Sequence, residues 1–490
     1  MKFERASGIL LHITSLPSKY GIGSFGKEAY AFVDFLEKSG QKLWQIFPLG
    51  PTGYGNSPYQ TFSAFAGSPL LIDLDLLVTD GLINENDIPG LEFKQTRVEY
   101  DKVSKFKLKI LYEAFKNFQP SPEFETFTKN NSWWLDDYAL FMSIRKKFHY
   151  QSWVNWPQNI KLREQDALNQ YKEELNKSIY FQKFLQFKFK QQVDNLHQYA
   201  NSKGVKIIGD IPIFIGFDSS DVWANPAMFH FDKDCNPTIV AGCPPDEFAP
   251  TGQLWGNPLY RWQVMKENGF KWWIKRFEHL LTQVDIIRID HFIGFVHYWA
   301  VPAGDKTALN GEWKQALGDE MFATLEQKLG KLPIIAEDLG AISDAVIALR
   351  DKYDFPGMKI LQFAFYGDKE NPYLPHNFDE NCVVYTGTHD NETTRGWYSN
   401  LDTKVKKFVD EYLEFEKGKI SWELIKAAWK SKADMALAPM QDFLDLDNKA
   451  RMNYPGTVED NWEWRVKKEQ LQPELAKKIR TLTQKTNRLI

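Results

Sequence analysis

In the stretch VDIIRIDHF, residues 284–292, an arginine and an aspartate stand two positions apart inside a β-branched hydrophobic run. Side chains alternate across a strand, so Arg288 and Asp290 are expected to share a face with Val284, Ile286 and Phe292. A buried ion pair stabilises little, because desolvation offsets the Coulomb attraction. The pair therefore marks either a structural bridge or a carboxylate held for chemistry. Acids recur near the ends of other hydrophobic runs: Asp210 in VKIIGDIPIFI, Glu337 and Asp338 in PIIAEDLG, Asp390 beside His389 in CVVYTGTHD, and Asp442 in MALAPMQDFL. Converging carboxylates bind a metal or work as an acid/base and nucleophile pair, as in glycosidases. Metal hydrolases usually add several histidines, whereas His12 stands alone on the first run and no H-E-x-x-H occurs. The segment TGTHDNETT lacks the glycine-rich cradle that phosphate chemistry uses. Glycosyl chemistry leads: an arginine beside Asp290 favours the charged form a nucleophile needs, and a second carboxyl must be protonated to assist the leaving group. Alternation leaves Glu337 and Asp338 open for that second role, since neighbours on a strand point to opposite sides. His291, out of phase with Asp290, reads as a packed or supporting histidine.

Such groups need a rigid frame. Eight short β-branched runs bounded by turn signals occupy residues 7–14, 42–50, 205–215, 284–292, 333–340, 358–365, 382–390 and 435–444. Helical periodicity lies between most of them, as in KEAYAFVDFLEKSG and ISDAVIALRDKYD. Near-continuous apolar strands alternating with helices predict an α/β fold, a (β/α)8 TIM barrel whose catalytic groups sit at the C-terminal face. Two gaps exceed simple connections. Residues 61–204 read as a mainly helical insertion: VSKFKLKILYEAFKNF, then SWWLDDYALFMSIRKKF capped by Ser132, then a long charged helix stopped at Gly204. Residues 216–267, rich in glycine and proline, read as a long irregular loop subdomain at the mouth. The expected division is 1–60 as the first part of the barrel, 61–204 as the insertion, and 205–490 as the remainder interrupted by that loop.

The chain has 490 residues and a net charge of −4, with no general attraction for nucleic acid or an anionic membrane. Three cysteines, Cys235, Cys243 and Cys382, are too few and scattered for a disulfide framework or a zinc site, and fit a reducing compartment. The first 20 residues lack a signal-peptide core, and no run reaches the roughly 18–20 apolar residues that span a bilayer. A cytoplasmic protein is expected. Aromatic residues make up 15%, which suits either a large core or surfaces that stack on sugar rings.

RIDHF, AEDLG and GTHDNETT, in this order at strand ends, resemble the three catalytic regions of the amylomaltases, the 4-α-glucanotransferases of glycoside hydrolase family 77. The likeness runs on through GILLHITSLPSKYGIGSFG, GNSPYQTFSAFAGSPLLIDL, GDIPIFI, VAGCPPDEFAPTGQLWGNPLYRW and KARMNYPGTVEDNWEWR. The resemblance implies Asp290 as nucleophile, Glu337 as general acid/base and Asp390 as a third acid binding sugar hydroxyls. It places Arg288, His389 and Asp210 around the subsite of bond breakage and has Tyr59 stack on the sugar there. Gln253 and Trp255 would belong to a mobile loop over the acceptor side, and Tyr54 to a secondary glucan site. The family pattern has proline where Ile13 stands and a basic residue where Ile293 stands. The implied reaction is a retaining, two-step transfer of α-1,4-glucan segments, without metal or cofactor. Its donors would be maltooligosaccharides or starch- or glycogen-derived chains, and the acceptor the 4-hydroxyl of another glucan or of glucose. The 241–260 loop, with Gly242, Gly252 and Gly256 as hinges and Phe248 and Trp255 as stacking groups, is expected to favour sugar over water. An α-amylase-type retaining hydrolase and a catalytically inactive glucan-binding protein are the alternatives.

Overall fold

The computed structural model describes residues 2–245, 249–340 and 342–489. In chain order its strands are β1 (Ala6–Leu10), β2 (Leu43–Gln45), β3 (Lys206–Pro212), β4 (Ile239–Cys243), β5 (Gln253–Pro258) and β6 (Ile286–Asp290). They continue with β7 (His297–Pro302), β8 (Glu312–Gln315), β9 (Ile334–Ala336), β10 (Gly357–Ile360), β11 (Cys382–Tyr385) and β12 (Met435–Pro439). Each of the eight hydrophobic runs supplies one strand of a closed barrel, in the order β1-β12-β11-β10-β9-β6-β3-β2. All its pairings are parallel. The chain is thus a (β/α)8 barrel.

The strands are shorter than the runs, because the chain turns away where its polar residues begin. Beyond Asp290, His291 is left-handed at φ 54° and leads into a 3-10 turn, Phe292–Phe295. Phe292 therefore leaves the face shared by Arg288 and Asp290. Register sets Asp210 directly beside Arg288 across β3 and β6. The pairing of Ile289 with Ala336 brings Asp290 and Glu337 to the ends of neighbouring strands.

Between β2 and β3 lie the helices Tyr100–Asn117, Pro122–Asn130, Ser132–Lys147, Gln165–Glu174 and Asn176–Ser202. The 27-residue helix Asn176–Ser202 packs against Ser132–Lys147, the barrel helix Lys27–Ser39 and β3. Gly204, at φ 68°, makes the left-handed stop. Ser132 is not the cap: Asn131 holds that position and the Ser132 hydroxyl turns back to the Lys129 carbonyl, 3.0 Å away.

The 216–267 region is more ordered than its composition predicts. It holds β4 and β5, which join β7 and β8 in a four-stranded antiparallel sheet, order β5-β4-β7-β8, alongside the short helices Ser220–Ala224 and Trp262–Glu267. β4–β5 and β7–β8 are antiparallel pairs with connections too long for a tight-turn signal, and the central pairing of β4 with β7 reaches across β6. Much of the aromatic content is core: Trp44, Trp153, Trp223, Trp273 and Trp429 are fully buried. At the opposite end, the buried Arg488 guanidinium donates to the carbonyls of Ala6, Trp429, Ser431, Ala433 and Asp434, tying the end of the chain under β1 and β12. Among the described residues, no helix is long and apolar enough to cross a membrane.

Candidate active site

The barrel mouth opens into a cleft of about 780 Å³ lined by Tyr59, Gln253, Trp255, Asp290, His291, Glu337, His389, Asp390, Asn453 and Trp462. Arg288 and Asp210 lie beneath it, each only 3% exposed. The Arg288 Nη1 donates to Asp210 Oδ2 at 2.6 Å and to Asp290 Oδ1 at 3.0 Å. The paired residues of the RIDHF run thus form a bridge shared by two strands, with the nearer carboxylate buried and the other reaching the cleft. Tyr59 donates its hydroxyl to the same Asp210 oxygen at 2.8 Å. Burial pushes Asp210 up to about 6, against the attraction of Arg288 and with the repulsion of Asp290. Arg288 is held well above its ordinary value: burial works against its charge, but Asp210 and Asp290 outweigh it.

Glu337 and Asp338 part company. The Glu337 carboxylate accepts the His291 N–H at 2.7 Å and the Leu339 N–H at 3.0 Å and lines the cleft. Burial pushes it up to about 8; Arg288 and the two N–H groups oppose this, and Asp290 reinforces it. Asp338 instead takes the Arg350 guanidinium at 2.6 Å and the Met358 N–H at 2.8 Å, a bridge between β9 and its flanking helix. Asp442 is likewise an anchor, buried and holding the hydroxyls of Thr386 and Thr394 at 2.6 and 2.7 Å.

Asp390 accepts the Asn453 side-chain amide at 2.6 Å and stands 3.3 Å from His389 Nε2. Desolvation pulls its carboxyl upward, but His389 and the Asn453 hydrogen bond hold it well below the ordinary carboxylate range. The Tyr59 ring stacks on His389 (centroids 5.1 Å apart, 17° between planes), and Trp462 packs on both rings. His12 sits behind them. Burial pushes it down to about 3, leaving it neutral, and its Nδ1 accepts the Phe47 N–H.

Gln253 and Trp255 are joined by a hydrogen bond from the indole N–H, 3.1 Å. The Trp255 ring meets His291 edge-on at 4.9 Å. Both residues belong to β5, so a strand rather than a free loop carries them. Gly242 lies within β4, where an added Cβ would meet the Gln253 carbonyl at 2.7 Å; its smallness serves sheet contact, not hinging. Gly252 and Gly256 are left-handed, at φ 67° and 75°. Phe248 and the Tyr54 side chain lie outside the described residues. Ile13 and Ile293 are both buried in the core.

Asn453 and Trp462 are among the cleft residues to which the sequence assigned no role. Both come from the NYPGTVEDNWEW segment between the last strand and the last helix, and neither amide nor indole carries a spacing signal. Among the described residues, no cluster of three or more His, Cys, Asp or Glu side chains is arranged to hold a metal ion.

A family model described as 4-alpha-glucanotransferase, glycoside hydrolase family 77, matches residues 11–471. The chain is 48% identical to a 4-alpha-glucanotransferase of Clostridium butyricum, over 96% of this chain and 99% of that one. It is 46% identical to the 4-alpha-glucanotransferase of Thermus thermophilus, over the full length of both. Among solved structures, an amylomaltase from Streptococcus agalactiae in complex with acarbose superposes with a TM-score of 0.96 at 41% identity, covering 99% of this chain and 100% of that one. The carboxylate-lined mouth therefore sits in a chain that belongs to the 4-alpha-glucanotransferases of glycoside hydrolase family 77.

Proposed function

We propose that this chain is a retaining 4-α-glucanotransferase in which Asp290 is the nucleophile and Glu337 the acid/base. The observation that carries the assignment of roles is the contrast between the two carboxyls of one cleft. Asp290 is bound to a guanidinium, whereas Glu337 is pushed to about 8 and so is protonated near neutral pH. In the first step Glu337 gives its proton to the glycosidic oxygen as Asp290 attacks the anomeric carbon. The bond to the leaving 4-oxygen breaks and a glycosyl ester forms. That ester removes the negative charge of Asp290, one of the forces holding Glu337 up, while the attraction of Arg288 remains. Glu337 then ionises more readily, as the second step requires. It takes the proton of an acceptor 4-hydroxyl, which attacks the ester carbon and releases Asp290.

Asp390, held ionised, binds sugar hydroxyls beside the reacting ring, with His389 and Asp210 completing that subsite and Tyr59 stacking against the sugar. Gln253 and Trp255 face the acceptor, and Tyr54 belongs to a secondary glucan site. Donor and acceptor are α-1,4-glucans: maltooligosaccharides, starch- or glycogen-derived chains, and glucose as the smallest acceptor. The names of the relatives favour transfer over hydrolysis, and the acarbose bound by the streptococcal neighbour supports a glucan-shaped occupant. The helical stretch 61–204 acts as one insertion flanking the cleft, and the three scattered cysteines fit a cytoplasmic enzyme.

Incubation with maltotriose tests the reading. Glucose and longer maltooligosaccharides should form while total reducing ends stay constant. A rise in reducing ends in step with glucose would make the enzyme a hydrolase.

A further inference from the structure

The turn after Asp290 touches both sides of the cleft. His291 is left-handed at φ 54°, a conformation that residues with a Cβ adopt at a cost and that glycine, asparagine and aspartate tolerate best. In that conformation its N–H donates to Glu337 Oε2 at 2.7 Å. Its ring lies in the cleft wall, edge-on to Trp255 at 4.9 Å and 6.4 Å from Phe214. One residue thus holds the acid/base by its backbone and touches the acceptor-side strand β5 by its ring. A strained backbone persists only where its surroundings enforce it, and such residues gather at functional sites.

We infer that His291 is a positioning residue that joins the acceptor side of the cleft to the acid/base: its left-handed backbone holds the Glu337 carboxyl group, and its ring props Trp255 over the acceptor. The inference rests on the transfer reaction proposed above. The imidazole itself stays neutral through the working range, since burial pushes it down to about 4. The other groups that face Glu337 are Arg288 and Asp290 from β6, the Leu339 N–H of its own segment, and Tyr373 from the stretch beyond β10. These groups stay in place in variants that keep the left-handed backbone, which therefore serve as the reference for one that resists it.

Three substitutions separate the two roles. His291→Asn and His291→Gly keep a backbone at ease in the left-handed region but remove the ring. His291→Val removes the ring and resists that backbone. Donation by the N–H favours the ionised carboxylate, so losing it raises the pKa of Glu337. With maltotriose as donor, the pH limb due to Glu337 should stay in place for Asn and Gly. It should move up by about one unit for Val, the size of a lost charge-assisted hydrogen bond. All three variants should send a several-fold larger share of turnover to water, with the acceptor KM rising more than kcat falls. Should the Val variant fail to fold, His291→Ala gives the same contrast in smaller measure. A Val or Ala limb coincident with that of Asn overturns the backbone role, and an unchanged hydrolysis share in His291→Asn overturns the role of the ring. Failure of the transfer reading itself is distinct, because the unsubstituted enzyme would then already release new reducing ends.

Discussion

Replacing Glu337 by glutamine tests the division of labour at the cleft. With its carboxyl at about 8, Glu337 is roughly nine-tenths protonated at pH 7 and one-tenth at pH 9. The first step on maltotriose, which needs the proton, should therefore hold level to pH 7 and fall about tenfold per unit well above pH 8. α-Maltosyl fluoride has a leaving group that departs without protonation, so the same step on this donor should show no such limb. Glu337→Gln removes the proton permanently. Its rate on maltotriose should fall by about 10²–10⁴, the usual contribution of a positioned general acid, or roughly 3–5 kcal/mol. On the fluoride, the variant should still release a rapid burst of one fluoride per active site, since Asp290 and Arg288 are untouched. Turnover should then slow, because the acceptor hydroxyl lacks its base. Rapid-quench measurement of fluoride, with chromatography of maltotriose products, reads both steps. Equal losses on the two donors, or no burst, would refute Glu337 as the acid; an identical basic limb on both would refute the pKa argument.

Trp255→Ala should raise the hydrolysis-to-transfer ratio several-fold: an aromatic contact of about 1 kcal/mol nearly matches the roughly 1.4 kcal/mol of a tenfold change. Parallel losses in both reactions would reduce Trp255 to packing. Asp338→Ala breaks a buried pair with Arg350 and should cost about 3 kcal/mol in urea denaturation while leaving the Glu337 limb in place; a displaced limb would draw Asp338 into the site. Arg488→Met removes a buried donor shared by five carbonyls, of which Arg5 still serves those of Trp429, Ser431 and Ala433; it should cost about 2 kcal/mol, with kcat at low temperature preserved. A denaturation midpoint unchanged from the parent would refute that clasp.

The barrel was legible because a parallel strand buried on both faces writes itself as an unbroken apolar run, and eight such runs occur in order. The small sheet was not. EWKQ in β8 is four mostly exposed residues with no apolar face to register, and β7, His297–Pro302, pairs with β4 from the far side of β6, a partner that no local pattern names. Asp210, Asp290, Glu337 and Asp390 were visible because a charge ending an apolar run conflicts with burial. Alternation left Glu337 and Asp338 open and only the resemblance implied Glu337; what turns Asp338 away is Arg350, a helical residue whose reach no alternation rule describes. Trp462 and Asn453 were hidden for a simpler reason: they lie on coil, placed by tertiary contacts alone.

Closure of the barrel joins two strands that lie far apart in the chain. β1 ends at Leu10, yet one of its two neighbours, β12, begins at Met435. At roughly 5–20 residues per second on the ribosome, about 430 residues take some 20–90 s to follow. Through that interval the nascent β1 can pair with β2 and present its other edge to whatever is near. Arg488 follows β12 in the chain and fastens that same strand by donating to the Ala6 carbonyl. Closure of the barrel therefore waits on β12, long after β1 is made, and a chain cut short before Met435 should leave an open, aggregation-prone sheet rather than a slightly shortened enzyme.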